Sequence, residues 1–284
     1  MRALPALLAA LVLTGCSSLV DRATSQFADD LESAILAYNE PATVGQGLPA
    51  YLLLLEARLQ SRPDDAALRL TTARLTGSYA SLFVDELEPD AVDRLHQRAL
   101  NHARVGACEA SPRLCDLGSQ SFDDFDERIA SLRPADLDAA YGLATTWTGW
   151  IDAHSDDFNA LADLPRVEAL LRWVADRDPG HDDGAVWLYL AVLNSQRPPA
   201  AGGRPDKARQ YFQKAEEHSR GRNLLVKVLM ADSYARLLFD RDLFVELLEA
   251  VRDARVDDPD YQLVNQVARS RAARLLNRTE AIFD

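Results

Sequence analysis

Five histidines, three cysteines and several paired aspartates are the residues of this 284-residue chain suited to acid–base, nucleophilic or metal chemistry. The histidines (96, 102, 154, 181 and 218) are scattered, each among charged or polar neighbours, as in Ala153-His154-Ser155-Asp156-Asp157. They read as solvated surface side chains. His96 and His102 are the histidines nearest Cys108 and Cys115, but their six-residue spacing points them to different sides of a helix, and structural zinc normally takes four converging ligands. The pairs Asp29-Asp30, Asp123-Asp124, Asp156-Asp157 and Asp182-Asp183 read as helix caps and first-turn charges rather than general acid–base pairs. No nucleophile elbow, H-E-x-x-H string, phosphate-binding loop or dinucleotide fingerprint occurs. Neither an enzyme nor a metal or other cofactor is expected. Tyr141, Trp147 and Trp150, interleaved with Gly142 and Gly149 on one helical stretch, could line a cavity, although core packing is the commoner fate of such aromatics.

The elements that must carry these residues are helices. There are 44 Ala and 44 Leu but only four Ile, and aromatics make up 7% of the chain. Ala and Leu enter helices at least cost, while the types that favour pleated surfaces are scarce. Net charge is −13 with no basic run, which argues against nucleic acid as a partner because phosphate binding needs a cationic face. Pro, Gly and Asp punctuate one helical stretch after another: Gly47-Leu48-Pro49 opens an apolar run from Ala50 to Leu59, and Pro63 closes it.

A period of roughly 34 residues fits parts of the chain. Trp187-x-x-Leu190-Ala191 with Ala208-x-x-x-Phe212-x-x-Ala215 matches a tetratricopeptide-like pair, as does Met230-Ala231-x-x-Tyr234 with Leu243-x-x-x-Leu247-x-x-Ala250. Val167-x-x-x-Leu171-x-x-Val174 and Tyr51-x-x-x-Leu55-x-x-Arg58 are half-matches. The small residues would sit where helices cross and the aromatics between pairs. The expectation is an all-α array of antiparallel helical hairpins with degenerate tetratricopeptide-like repeats, with an irregular helical bundle as the rival.

Residues 1 to 16 hold one Arg, an apolar run from Ala3 to Leu13 broken only by Pro5, and then Leu13-Thr14-Gly15-Cys16. The run is too short for a membrane-spanning helix, where about 20 residues are needed, and reads as a secretion signal. Its last four residues resemble the lipobox of bacterial lipoproteins, which implies removal of residues 1–15, acylation of Cys16 and a lipidated tether over 16–27 ahead of one domain at 28–284. More than one acyl chain anchors a protein stably. Ser17 after the cysteine implies export to the outer membrane, with inner-membrane retention as the alternative. In an oxidising compartment the remaining cysteines, Cys108 and Cys115, favour a loop-pinning disulfide over free thiols or part of a metal site.

With these strings assembled, the sequence resembles the T-component lipoproteins of tripartite ATP-independent periplasmic (TRAP) transporters, the TatT family. The resemblance is carried by Gly47-Leu48-Pro49-Ala50-Tyr51, Tyr79-Ala80, Phe83-Val84, the Cys108/Cys115 pair, Trp147-x-x-Trp150-Ile151, Leu164-Pro165, Gly202-Gly203, Ser219-x-Gly221-x-Asn223-Leu224, Tyr234-Ala235-Arg236 and Phe239-Asp240-Arg241. It implies a periplasm-facing lipoprotein that assembles as a homotrimer, holds a channel or cleft in each subunit, and docks the substrate-binding P component to pass on a small organic or hydrophobic ligand. Tyr51, Trp147 and Trp150 are the candidate lining of that channel. The rival from another class is an outer-membrane assembly scaffold or pilotin-type lipoprotein.

Overall fold

The computed structural model describes residues 34–83, 87–197, 203–255 and 257–284, so Cys16, Asp29-Asp30 and the signal lie outside the described residues. The described residues contain helices and turns and no strand. Among the described residues these α-helices follow in order: α1 (Pro41–Ser61), α2 (Ala66–Leu82), α3 (Pro89–Ala110), α4 (Phe122–Ala130), α5 (Leu137–Ala153), α6 (Phe158–Ala162), α7 (Leu164–Arg177), α8 (His181–Asn194), α9 (Pro205–Ser219), α10 (Leu225–Leu229), α11 (Arg241–Asp253), α12 (Gln262–Asn277) and α13 (Thr279–Phe283). A π-helical segment, Met230–Ala235, continues α10.

Local chemistry sets the helix starts. Asp65, Ser121 and Asp240 each accept a hydrogen bond from the backbone N–H three residues on, and Asp123 and Asp124 occupy the first turn of α4 as expected. The expected start at Gly47-Leu48-Pro49 is corrected. α1 begins at Pro41, which supplies the fixed φ of a first helical turn, and Pro49 lies inside the helix. Its missing N–H leaves the Gly45 carbonyl without a helical partner, and Gly45 itself is covered by the Phe83 ring, 2.9 Å from where a Cβ would stand. The buried positions Val44, Leu48, Leu52, Leu55 and Leu59 recur every three or four residues and give α1 one inner face.

Helix α5 is the centre. It packs on α2, α3, α7 and α8, and its Trp147 and Ile151 are almost wholly buried in the main apolar cluster. The small residues singled out in the sequence, Ala191, Ala208, Ala215 and Ala231, are at 0–2% exposure, with Trp187, Phe212 and Tyr234 filling beside them. In α11 the expected register is off by one. Phe244, Leu248 and Val251 face inward, Leu243 and Leu247 are half-buried, and Ala250 is exposed, because the helix starts from the Asp240 cap and turns Phe244 rather than Leu243 to the core.

A second cluster joins α10, the π segment, α11 and α12. The third joins α1 and α2 to Leu263 and Val267 of α12. The last long helix therefore packs on the first, and the succession of helices closes on itself.

Two backbone features stand out. Asp182, Asp183 and Gly184 run consecutively through the left-handed region, with φ of 52°, 50° and 78°. The aspartates stand in the first turn of α8 as expected, but in left-handed rather than right-handed backbone. The segment before Tyr234's helix exit is different: Asp240 N–H bonds to Ala235 O at 2.9 Å and Phe239 N–H to Arg236 O at 3.1 Å, the paired bonds of a Schellman helix end. The left-handed residue of that end, normally Gly, is Phe239 at φ 55° and 80% exposed. Left-handed backbone costs about 1–2 kcal/mol for a residue with a Cβ.

Candidate functional site

The α5 positions Tyr141, Thr145, Thr148 and Asp152 are spaced four, three and four apart and share one helix face. On α8 and just beyond it, Asp182, Tyr189 and Gln196 recur at seven-residue spacing. The two lines meet. Tyr141 donates its phenolic hydrogen to Asp182 at 2.6 Å, its ring stands edge-on to Tyr189 with centroids 6.3 Å apart, and Gln196 donates to Asp152 at 2.6 Å. Start pairs with start and end with end, so α5 and α8 run parallel, with α7 returning between them.

Asp152 is exposed to water, and the desolvation that its protein neighbours impose raises its carboxyl pKa against the opposing pull of Gln196 and Arg271. The next carboxylate, Asp232 on the π segment, behaves oppositely. Burial raises it, but Arg271 at 2.7 Å and Arg236 more than offset that and leave it below the usual carboxylate range. At the other end of the line, burial raises the Tyr189 phenol to about 12, with Asp182 adding to the effect and Arg74 of α2 opposing it. The polar line thus falls into two groups along the α5–α8 contact, Tyr141 with Asp182 and Tyr189 at one end and Asp152 with Gln196 at the other, with Arg74, Asp182 and Asp152 exposed.

The left-handed turn belongs to this line. Asp182 is held by Tyr141, while Asp183 accepts from Tyr261 at 2.8 Å and from Arg222 at 3.1 Å. Gly184 lies so close to α9 that a Cβ there would stand 2.2 Å from the His218 Cβ.

Elsewhere around α5, the structure corrects the reading of the histidines as solvated. His96 is 3% exposed, its ring packed on Gly149, and burial lowers its pKa to about 4, with His154 adding to the effect and Asp93 opposing it. His154 spans from the Trp150 carbonyl at 2.7 Å to Asp93 at 2.6 Å, and His102 reaches Glu56 at 3.0 Å. His181 is half-buried beside Tyr141, with Asp178 at 3.3 Å. Only His218 stays exposed. The reason is the small residue at position 149, which opens a slot in α5 wide enough for an imidazole.

Two surface clefts are lined by polar side chains. One, of about 510 Å³, lies between Glu56 on α1 and the α3 residues Asp93 to His102. The other, of about 370 Å³, is lined by Gln120, Asp124, Glu127, Arg128 and Ser131. It sits beside the loop in which Cys108 and Cys115 are joined by a disulfide, because Arg128 donates to Pro112 O at 3.0 Å and Gln120 to Cys115 O at 3.3 Å. Among the described residues no group of His, Cys, Asp and Glu is arranged to hold a metal ion.

The remaining sequence candidates are dispersed. Trp147 is 1% exposed, under the Arg104 guanidinium at 5.1 Å. Trp150 is half-buried and stacks on His154 with centroids 4.8 Å apart. Tyr51 packs with the separate cluster of α1 and α2 and does not join the two tryptophans. Leu48 is buried in that same cluster, and Gly47 faces open space. Gly221 (φ 69°) and Asn223, whose side chain accepts from Leu225 N–H at 3.1 Å, build the corner from α9 to α10. The polar line itself escaped the sequence reading. Its signal was the seven-residue recurrence of Asp182, Tyr189 and Gln196 through an otherwise apolar helix.

Among the described residues no helix is long and apolar enough to cross a membrane. A family model described as the TRAP transporter T-component (TAtT) matches residues 38–283. No curated protein matches the chain.

Proposed function

The chain belongs to the TRAP transporter T-component family, and on that premise we propose that it is a periplasm-facing accessory lipoprotein that docks the substrate-binding P component and helps pass a small organic ligand to the membrane subunits. In this reading residues 1–15 are a signal, Cys16 carries the lipid, residues 16–27 are the tether, and residues 28–284 form one tetratricopeptide-like domain that assembles as a trimer at the periplasmic side of the outer membrane. The observation that carries the reading is the family match across nearly all of the described chain.

The parallel course of α5 and α8, with α7 between them, supports the repeat architecture, since alternate helices of such arrays line one inner face. The polar line on that face supports a ligand with hydrogen-bonding groups, because its side chains offer donors and acceptors that an entirely apolar molecule would leave unused. Partner association supplies the function and no chemistry is needed.

The test is association in solution. Light scattering after size exclusion is expected to show a complex of the chain without its lipid and the cognate P component. Separate elution of the two at high micromolar concentration overturns the docking reading. Palmitate labelling in cells, expected for the wild type and lost in Cys16→Ala, checks the anchor independently.

A further inference from the structure

Helix α1 lacks the charged outer face of its neighbours. Its inner face carries Val44, Leu48, Leu52 and Leu55 of the third cluster, while on the outer face Leu53 and Leu54 are each 67% exposed. Among the described residues every other helix of ten or more residues exposes at least one charged side chain, and α1, with 21 residues, exposes none. A helix without a charged face is normally one that is covered on both sides. The spacing of the outer face shows what kind of cover fits. Gln46, Ala50, Leu53, Ala57 and Gln60 are all exposed and follow one another at four, three, four and three residues, the repeat by which one helix packs along another. Gly47 and Leu54, also exposed, widen this stripe on one flank beyond the narrow seam that a single helix covers.

We propose that this face is the contact between copies of the chain, with their α1 helices running parallel around a common axis. Charge selects the occupant. The net charge is −13, so copies repel one another over most of their surface, and on this face they approach without bringing carboxylates together. A partner with a charged surface would lose water from its charges here and gain no counter-charge. A lipid surface is a poor match as well. Interfacial helices set Lys or Arg beside bulky apolar residues, whereas this face exposes no cation and surrounds its two leucines with small residues. In the parallel arrangement each residue meets its own kind. The amides of Gln46, and those of Gln60, donate and accept among themselves, Leu53 and Leu54 fill the layers between, and Gly47, Ala50 and Ala57 let the backbones approach.

The contact deepens the proposed self-assembly and rests on it. Its test is sedimentation velocity of the chain without its lipid, alongside circular dichroism. Wild type is expected to sediment as an oligomer. Leu53→Glu/Leu54→Glu, which puts like charges at the centre of the contact, is expected to keep its helical spectrum and to need about a hundredfold higher concentration to assemble. Ala50→Cys is expected to give disulfide-linked pairs of copies under mild oxidation, because parallel helices bring position 50 of neighbouring copies together, whereas Ala67→Cys, exposed on α2, is not. If wild type stays monomeric at high micromolar concentration, self-assembly falls and this contact with it. If wild type assembles and Leu53→Glu/Leu54→Glu assembles equally well, the face is not the contact while self-assembly stands, and a loss of affinity for the P component in that variant would assign the face to that protein instead. An assembled Ala50→Cys that does not link refutes the parallel arrangement. Should Leu53→Glu/Leu54→Glu not fold, linking at position 50 but not at position 67 decides the matter.

Discussion

The His96 ring packs against Gly149 so closely that a Cβ on the glycine would lie 3.4 Å from two ring atoms. The imidazole is therefore held in the core, where burial lowers its pKa from 6.5 to about 4. The unfolded chain takes up a proton near pH 6.5 that the folded chain refuses until about pH 4. Stability from this group is full above pH 6.5 and is lost as pH falls toward 4, by about 3 kcal/mol over the window. Urea unfolding at pH 7 and pH 4.5 measures it. His96→Phe is expected to flatten this part of the pH dependence, and an unchanged profile in that variant refutes the assignment.

Asp152 and Asp232 are expected to respond oppositely to removal of charge. Asp152, although exposed, has its carboxyl pKa raised by desolvation, so Asp152→Asn, which still accepts from Gln196, should raise the melting temperature slightly at pH 8. Asp232 is held ionised by Arg271 and Arg236, so Asp232→Asn should lower it. Its stabilisation is present above the ordinary carboxylate pKa and disappears as pH falls through its depressed value. Differential scanning fluorimetry between pH 3 and pH 8 checks both, and equal shifts in the two variants contradict the account.

Trp147 fills the middle of the main cluster, and truncation leaves a cavity that α5, packed on four helices, has little freedom to close. Trp147→Ala is expected to cost about 3–5 kcal/mol in chemical denaturation. Trp150, half-buried against His154, should cost less than half as much. Comparable losses at the two positions mean that α5 is not packed as described.

Gly184 has two separate reasons to be glycine, its positive φ and the 2.2 Å approach to His218. Gly184→Ala is expected to destabilise by more than about 2 kcal/mol, since the β-carbon meets the base of a side chain on α9 rather than a flexible tip. Trimming the partner in Gly184→Ala/His218→Ala should recover little, because the Cβ of residue 218 and the backbone strain both remain. Full recovery disproves the strain component.

Composition and punctuation made the helical class, the first-turn charges Asp123 and Asp124 and the small buried residues Ala191, Ala208, Ala215 and Ala231 legible, because each is decided within a turn or two of chain. What failed was decided at a distance. His96 reads as a surface residue among Asp93, Arg94 and Arg98, and only the glycine brought against it from α5 buries it. The Leu243-x-x-x-Leu247 pattern is as good a heptad as Phe244-x-x-x-Leu248, and the cap at Asp240 chooses between them. Asp182-Asp183 has the spelling of a helix start and stands in one, but its left-handed backbone and its bonds to Tyr141, Arg222 and Tyr261, from three distant segments, are not legible locally. Trp147 and Trp150 were visible as payload, but only the tertiary neighbours decide that one is in the core and the other, a turn further on, lies over a histidine.

The packing of Leu263 and Val267 on the first helices makes the molecule a loop with a seam. The residues on its two sides are separated by nearly the whole described chain, so α1 and α2 must wait with Val44, Leu48 and Leu52 uncovered until the last long helix arrives. Such late, non-local closure is the slow part of folding. The same seam governs opening: lifting α12 away from α1 breaks the circuit without disturbing the cluster around α5.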